Sequence, residues 1–456
     1  MPMPALFPLH EDADRLLRHA KLPPHTGVGV VESHGDIDHP GLKQLRQCAD
    51  QVNNDTAPAL QLDVTCLVPA SGDCLLIVNS LRRNPLSRNF GEGLSVMGES
   101  PDGPFELHCP TYYVNAVSGP FEEGGWAIGS PVNAPLTITY GPLRPPARIV
   151  AVVNNFDFED GNIQKEDSRS SRRDILRVTA SGRPVDFVWR DDRVQVRRLL
   201  DAGVLRTASL TTLSFEAWPH AREEELIDFA VDVASLCGIV AKQHTGLPVI
   251  SLLDSDGAPI KRVVGNPVES SFRSGSILPV LHLDQNGLPQ IFRQCFAEHV
   301  KLRKLPLWNR ISPYLSGIED SPYLEGKIAA LMPAIELLLR SSLVEAGVCS
   351  TDAAEKAILP KLLGMARGLL RWDIQKHYTV RESYSILRNA VMHGLRLPTG
   401  AAEARGEFDK WHLFLLRRVL MRLGYDGHVQ CPHQGFVSSS AVNDFSAESN
   451  LFNLTG

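Results

Sequence analysis

Between residues 56 and 160 the apolar side chains fall on every second position. Leu60, Leu62, Val64 and Cys66 alternate with Gln61, Asp63 and Thr65, and the same rhythm returns at Leu136, Ile138 and Tyr140 and at Ile149, Ala151 and Val153. Successive side chains of a strand leave on opposite faces, so this period marks half-buried strands. Turn-forming clusters such as GPFEEGG and GPLRPP separate them, which predicts a mostly antiparallel β region. Ahead of it the pattern predicts helices over 12–20 and 42–52.

The polar run KEDSRSSRRD, from residue 165, interrupts the pattern. It reads as an exposed linker, with a nucleic-acid contact as the other possibility. A second α/β region is expected beyond it. Val185, Phe187 and Trp189 alternate; Leu226, Phe229, Ala230, Val233 and Cys237 then line one side of a helix; a hairpin turns at Asp256-Gly257. The REEE run from Arg222 to Glu225 reads as the solvated start of that helix, its acids near the positive dipole end.

From residue 288 the period becomes helical. One helix is predicted with Ser321 as N-cap, Pro322 at its first position, a kink at Pro333 and a stop at Gly347. The last places Phe408, Trp411, Leu415, Val419 and Leu423 on one side and stops at Gly424. The expected fold class is therefore α+β and multidomain: a β-rich N-terminal region followed by an all-α C-terminal bundle of four or five helices. The boundaries predicted are 1–165 for the β-rich domain, 166–287 for the second α/β subdomain, 288–430 for the helical domain and 431–456 for a C-terminal tail.

Composition changes this picture little. A chain of 456 residues with 43% hydrophobic and 21% charged residues is ordinary globular material for two or three domains. Its eight cysteines form no C-x-x-C pair, which fits reduced thiols. There is no run of eighteen apolar residues, and the first residues lack the layout of a secretory signal, so a cytoplasmic protein without membrane spans is expected. The net charge of −6 is uneven: residues 321–430 hold 15 Lys and Arg against 11 Asp and Glu, a local +4 against −10 for the rest. A polyanion should meet the C-terminal part.

The candidate chemistry lies in ILRNAVMHG, residues 386–394. Thr379 and Glu382 form a capping-box pattern and Gly394 supplies a left-handed stop, predicting a helix over 380–393. At about 100° per residue, Val380, Ile386, Leu387, Ala390 and Val391 form its core stripe, and Ser385, Arg388, Asn389, Met392 and His393 share the other half. Asn389 and His393 are an i,i+4 pair within reach of Arg388. The helix dipole favours a protonated His393 in the last turn, and an imidazolium beside a guanidinium can hold a phosphate. On spacing alone a solvated face explains this trio better than a catalytic site does. Met392, an apolar side chain on the polar face, points to a covering surface.

Arg388-Asn389-x-x-x-His393 followed by Gly394 resembles the R-x(4–6)-H motif of the HEPN family. The preceding helix with Ala334, Ile335 and Glu336, the motif helix and the closing LLRRVLMRLGYDG make residues 310–430 similar to the HEPN domain of ApeA-like proteins, which also carry a long β-rich region in front. The resemblance implies a metal-independent, cofactor-free endoribonuclease of prokaryotic anti-phage, abortive-infection type defence, acting as a homodimer or higher homo-oligomer. Arg388 and His393 would be the catalytic pair, Asn389 the residue that positions them, Glu336 a supporting group and Met392 part of the dimer interface. The substrate would be RNA, tRNA among the candidates, and the N-terminal region would sense a phage-derived protein trigger. The alternative is a non-catalytic HEPN-like dimerisation or nucleotide-binding module whose β-rich region recognises a partner.

Other constellations are thinner. His428-x-x-Cys431-x-His433 has zinc-compatible donors but lacks a fourth ligand. No phosphate-binding G-x-x-x-x-G-K-[ST] loop and no G-x-S-x-G elbow occurs. Asp254 and Asp256 suggest a calcium loop only until the following APIKR is read, after which a hairpin turn is the expectation.

Overall fold

The computed structural model describes the strands between residues 25 and 131, most of 135–265 and 287–372, Val391, and most of 401–438. The chain divides into two compact units. One comprises residues 1–157, 186–231 and 245–272, the other 158–185, 232–244 and 273–456. The architecture is α+β, with an antiparallel sheet in the N-terminal half and helices in the C-terminal half.

The first unit is built on strands β1 (His25–Val30), β2 (Gln61–Leu67), β3 (Leu75–Ser80), β4 (Leu94–Ser100), β5 (Gly103–Cys109), β6 (Tyr112–Ser118), β7 (Trp126–Pro131), β8 (Leu136–Tyr140) and β9 (Arg148–Asn154). After β10 (Gln164–Asp167), β11 (Ser170–Arg172) and β12 (Ile175–Ala180) come β13 (Arg183–Trp189), helix α1 (Arg193–Asp201), β14 (Ser209–Glu216), α2 (Glu223–Ala241), β15 (Gly246–Leu253) and β16 (Pro259–Val264). Within this unit the spatial order is β13-β14-β9-β15-β16-β8-β5-β4-β1-β2-β3-β7-β6. Every neighbouring pair is antiparallel.

The alternation at residues 136–140 translates directly. Leu136, Ile138 and Tyr140 are buried and the residues between them half-exposed. β9 instead is buried on both faces from Ala151 to Asn154, because β14 and β15 flank it and side chains cover it above and below. An aromatic cluster closes one side: Phe229 of α2 meets Phe215 edge-on at 4.9 Å and Trp218 at 5.7 Å.

The predicted hairpin at Asp256-Gly257 is the β15–β16 turn. Gly257 has φ of 81°, a region that costs glycine nothing. The Asp254 carboxylate accepts the backbone N–H groups of Asp256 (3.0 Å) and Ala258 (2.9 Å) and is ion-paired with Arg144, so it closes a turn.

The second unit contains β10 to β12, α3 (Gly287–Arg303), a 3-10 turn at Trp308–Arg310, α4 (Ile311–Asp320), α5 (Leu324–Glu345), α6 (Thr351–Lys356), α7 (Leu359–Leu369), α8 (Ala401–Arg422), and the hairpin of β17 (His428–Cys431) and β18 (Gly435–Ser438). The KEDSRSSRRD run, expected as a linker, supplies the β10–β11 hairpin. Helix α5 starts at Leu324 and runs through Pro333. Ser321 is the C-cap of α4 and does not cap α5. Its hydroxyl donates to the Tyr323 carbonyl at 3.0 Å, so it closes the turn between the two helices. Phe408, Trp411, Leu415 and Val419 of α8 and Leu423 just after it are buried as predicted, and Phe414, Leu416 and Leu420 join them, so the burial exceeds a single stripe. The predicted helices over 12–20, 42–52 and 380–393 lie outside the described residues, apart from helical Val391. Among the described residues no helix is long and apolar enough to cross a membrane.

Candidate functional site in the helical unit

Arg388, Asn389, Met392 and His393 lie outside the described residues, as does His433; Val391, between Asn389 and Met392, is helical and half-buried. Glu336 is described. It lies in the middle of α5 with 10% of its side chain exposed and pairs with Arg340 one turn later at 3.0 Å. Arg340 also donates to the Ala357 carbonyl at 3.3 Å. Glu336 is thus tied into an ion pair that joins α5 to the end of α6. His428 and Cys431 are the two ends of β17, opposite Ser438 and Gly435. Among the described residues no group of three or more His, Cys, Asp or Glu could hold a metal ion.

Two buried histidines stand out in this unit. His299 of α3 is fully buried, and neither ring nitrogen makes a well-formed hydrogen bond, the Asp232 backbone being the polar group beside it. Burial, then the charge of Arg303, lowers its pKa to about 3, so the ring is neutral. Arg303 itself is paired with Asp232 at 2.8 Å. His412 of α8 faces Glu319 of α4, with 3.8 Å between Nε2 and the carboxylate, and Lys242 donates to the same carboxylate at 2.8 Å. Burial raises the pKa of Glu319, but the Lys242 charge and hydrogen bond outweigh it and leave it lowered. Burial lowers His412 to about 4 despite that carboxylate. The result is a salt bridge between a lysine and a glutamate with a neutral imidazole at its edge. It has the chemistry to hold the end of α2 to α4 and α8, and no nucleophile.

A cavity of about 390 Å³ opens where three helices end. It is lined by Ser342, Glu345 and Ala346 of the α5 terminus, Leu370 and Trp372 after α7, and Arg418, Met421 and Arg422 of α8. Each helix closes its own end: the N–H of Val348 returns to Leu343, that of Trp372 to Ala366 and that of Tyr425 to Leu420. Left-handed residues Gly347, Arg371 and Gly424 make those closures possible. Carbonyls of the last turns are therefore satisfied internally. Side chains supply the chemistry of the wall.

Arg418 is the centre of that wall. It is 5% exposed, and its guanidinium lies 4.6 Å from the Trp372 ring centre and 5.6 Å from that of Phe414. Its Nη1 also approaches the Met421 sulfur at 3.6 Å. Arg422, one turn on, is ion-paired with Glu345. Burial lowers the pKa of Arg422 from its ordinary value, with Glu298 acting the other way. The arrangement presents two guanidiniums, one carboxylate, an indole and two apolar side chains around one space.

Sequence reasoning picked none of these cavity residues. The available signal was LLRRVLMRLG, in which Arg417, Arg418 and Arg422 interrupt an apolar helix. Periodicity treats such arginines as a wet face, whereas Arg417 and Arg418 are both buried. A comparison with family models, with characterised proteins and with solved structures finds no match.

Proposed function

We propose that the protein is a metal-independent endoribonuclease of HEPN-like type, serving prokaryotic defence and regulated by its β-rich N-terminal half. The observation that supports this reading is the stretch Arg388-Asn389-x-x-x-His393-Gly394. It stands in the chain between two long helices, α5 with Glu336 and α8, and within the more basic part of the sequence. The helical bundle that such a nuclease needs agrees with the content of residues 287–422.

The chemistry follows from the side chains. His393 takes the proton of an RNA 2′-hydroxyl, or returns one to the departing 5′-oxygen, since an imidazole titrates near neutral pH. The 2′-oxygen attacks the adjacent phosphorus, the bond to the 5′-oxygen breaks, and Arg388 stabilises the charge that develops on the phosphate. Asn389 positions the pair. Products end in a 2′,3′-cyclic phosphate and a 5′-hydroxyl, and DNA, lacking the nucleophile, is spared. A homodimer in which Met392 is covered by the second copy would bring two motifs together.

The test is cleavage of total cellular RNA by the purified full chain in the presence of chelator, with analysis of the product ends. Chelator-resistant cutting that leaves cyclic phosphates and disappears in His393→Ala is expected. Undiminished cutting by that variant would overturn the reading. RNA retained without cutting, and released by Arg388→Ala, would identify a binding module instead.

A further inference from the structure

Helix α7 packs on α5 and buries Leu359, Leu362, Leu363 and Ala366, which leaves its opposite face bare. We propose that this face docks an acidic amphipathic helix of a protein partner. The inference is independent of the ribonuclease reading.

The apolar part of the face supplies the anchors. Ile358 and Leu369 are 61% and 62% exposed, two of the four large apolar side chains left so open among the described residues. Half-exposed Met365 lies between them. At about 100° per residue the three side chains fall within roughly 40° of one another, a row along one flank of the helix. Ile358 and Leu369 are three turns apart, about 16 Å at 1.5 Å per residue, a span that a partner helix matches with its own i and i+11 positions. Apolar side chains gathered in a row mark a contact surface, where single exposed ones would not.

The charges say what that partner carries. LPKLLGMARGL, the sequence of α7, contains no acid. Its exposed cations, Lys361 and Arg367, have no carboxylate partner among the described residues. Neighbouring helices pair theirs internally: Arg340 meets Glu336, Lys356 meets Asp352 and Arg405 meets Asp409. The positive charge of α7 is thus left for a group outside the bundle, and complementary potential favours glutamate or aspartate beside the apolar row. A second copy of α7 would bring the same cations together, which disfavours it. An RNA backbone would satisfy the cations but leave Ile358 and Leu369 in water.

The middle of the face has the shape for a helix. Gly364 and Gly368 are exposed, and a Cβ added at either would meet nothing within 4 Å, so no contact inside the chain calls for glycine there. Between the apolar row and Arg367 they leave a shallow trough, and the distance between packed helix axes is set by the side chains at the contact.

The experiment is fluorescence anisotropy of the full chain at pH 7 and low ionic strength. The probe is a labelled three-heptad peptide with leucine at a and d and alanine and glutamate elsewhere. One control has the same composition in scrambled order, and another replaces glutamate by lysine. Saturable binding of the acidic peptide, at least tenfold tighter than either control, is expected. Lys361→Glu with Arg367→Glu changes only exposed positions, so the fold survives; it should weaken the acidic peptide at least tenfold and make the lysine peptide the tighter ligand. Gly364→Leu improves helix propensity yet fills the trough, and should also weaken binding.

No binding of the acidic peptide below millimolar concentration overturns the proposal, as does binding that the charge reversal leaves unchanged. A 2′-O-methyl uridine oligonucleotide, which cannot be cut, serves as competitor. If it binds more tightly than the peptide and is released by the same charge reversal, the face belongs to RNA. A dimer that dissociates in Ile358→Glu with Leu369→Glu would assign it to a second copy. Either result overturns the protein-helix reading.

Discussion

Among the described residues a guanidinium lies on an indole twice, once in each unit, with different results. In the sheet unit Arg193 of α1 lies 4.0 Å from the Trp189 ring centre and grips Asp157 through two hydrogen bonds of 2.9 and 2.8 Å. Arg197 joins the same carboxylate at 2.6 Å. In the helical unit Arg418 lies on Trp372, and the nearby carboxylate, Glu345, is held by Arg422 at the rim of the cavity. The contact with the ring is similar. What differs is the geometry around the ring: Arg193 also holds a buried carboxylate and locks α1 to the segment after β9, whereas Arg418 packs between two rings and the Met421 sulfur on the wall of a cavity. An indole–guanidinium pair is therefore no indicator of a site until the carboxylates around it are located.

The largest effect should come from breaking the closed member of this pair. Asp157 is 5% exposed and is shared by two arginines, of which Arg197 is about a third exposed and so partly screened. Asp157→Ala leaves buried positive charge uncompensated, for which about 3 kcal/mol is the expected loss. Denaturant unfolding measures it, and a change within 0.5 kcal/mol would mean that the two arginines find other partners.

Acid should separate the two units next. Among the described residues the two strongly lowered histidines, His299 at about 3 and His412 at about 4, belong to the helical unit. In the unfolded chain each takes up a proton near pH 6.5 while the folded form stays neutral, so stability falls as pH drops below 6.5 and continues to fall until the folded pKa is reached. Between pH 6.5 and 4.5 each should cost about 2 to 3 kcal/mol. The lowered Glu319 adds to this only below its unfolded value, where its bond to Lys242 is lost on protonation. Thermal unfolding across this range should show a falling midpoint. His299→Leu, which keeps roughly the volume and removes the titrating group, should flatten the profile; an unchanged slope would contradict a buried neutral imidazole.

Smaller still is the effect of opening the cavity member. Arg418→Lys keeps the charge but loses the planar contact with Trp372 and Phe414, and should cost about 1 kcal/mol in denaturant unfolding, less than Asp157→Ala. The smallest change is Arg371→Gly. Relief of the left-handed strain is offset by the chain entropy of glycine, so stability should rise by less than about 1 kcal/mol. A large loss of stability would show that the Arg371 side chain, and not its backbone, matters.

The sequence by itself determined what short-range physics controls. Period-two alternation located β8 and β9, helical periodicity located the α2 and α8 cores, and Asp256-Gly257, Gly347 and Gly424 marked a turn and two helix stops because only certain residues accept positive φ cheaply. The motif around Arg388 and His393 is likewise a matter of spacing, and both residues lie outside the described part of the chain. Tertiary structure alone decided which distant charges meet. Asp157 reaches Arg193 and Arg197, Lys242 finds Glu319 across 77 positions, and Arg418 lines a cavity with Trp372. A pattern of apolar and polar letters records whether a position can be buried. It does not record what it is buried against, because that depends on how separate helices and strands pack, and the energy of a buried charge is set almost wholly by those neighbours.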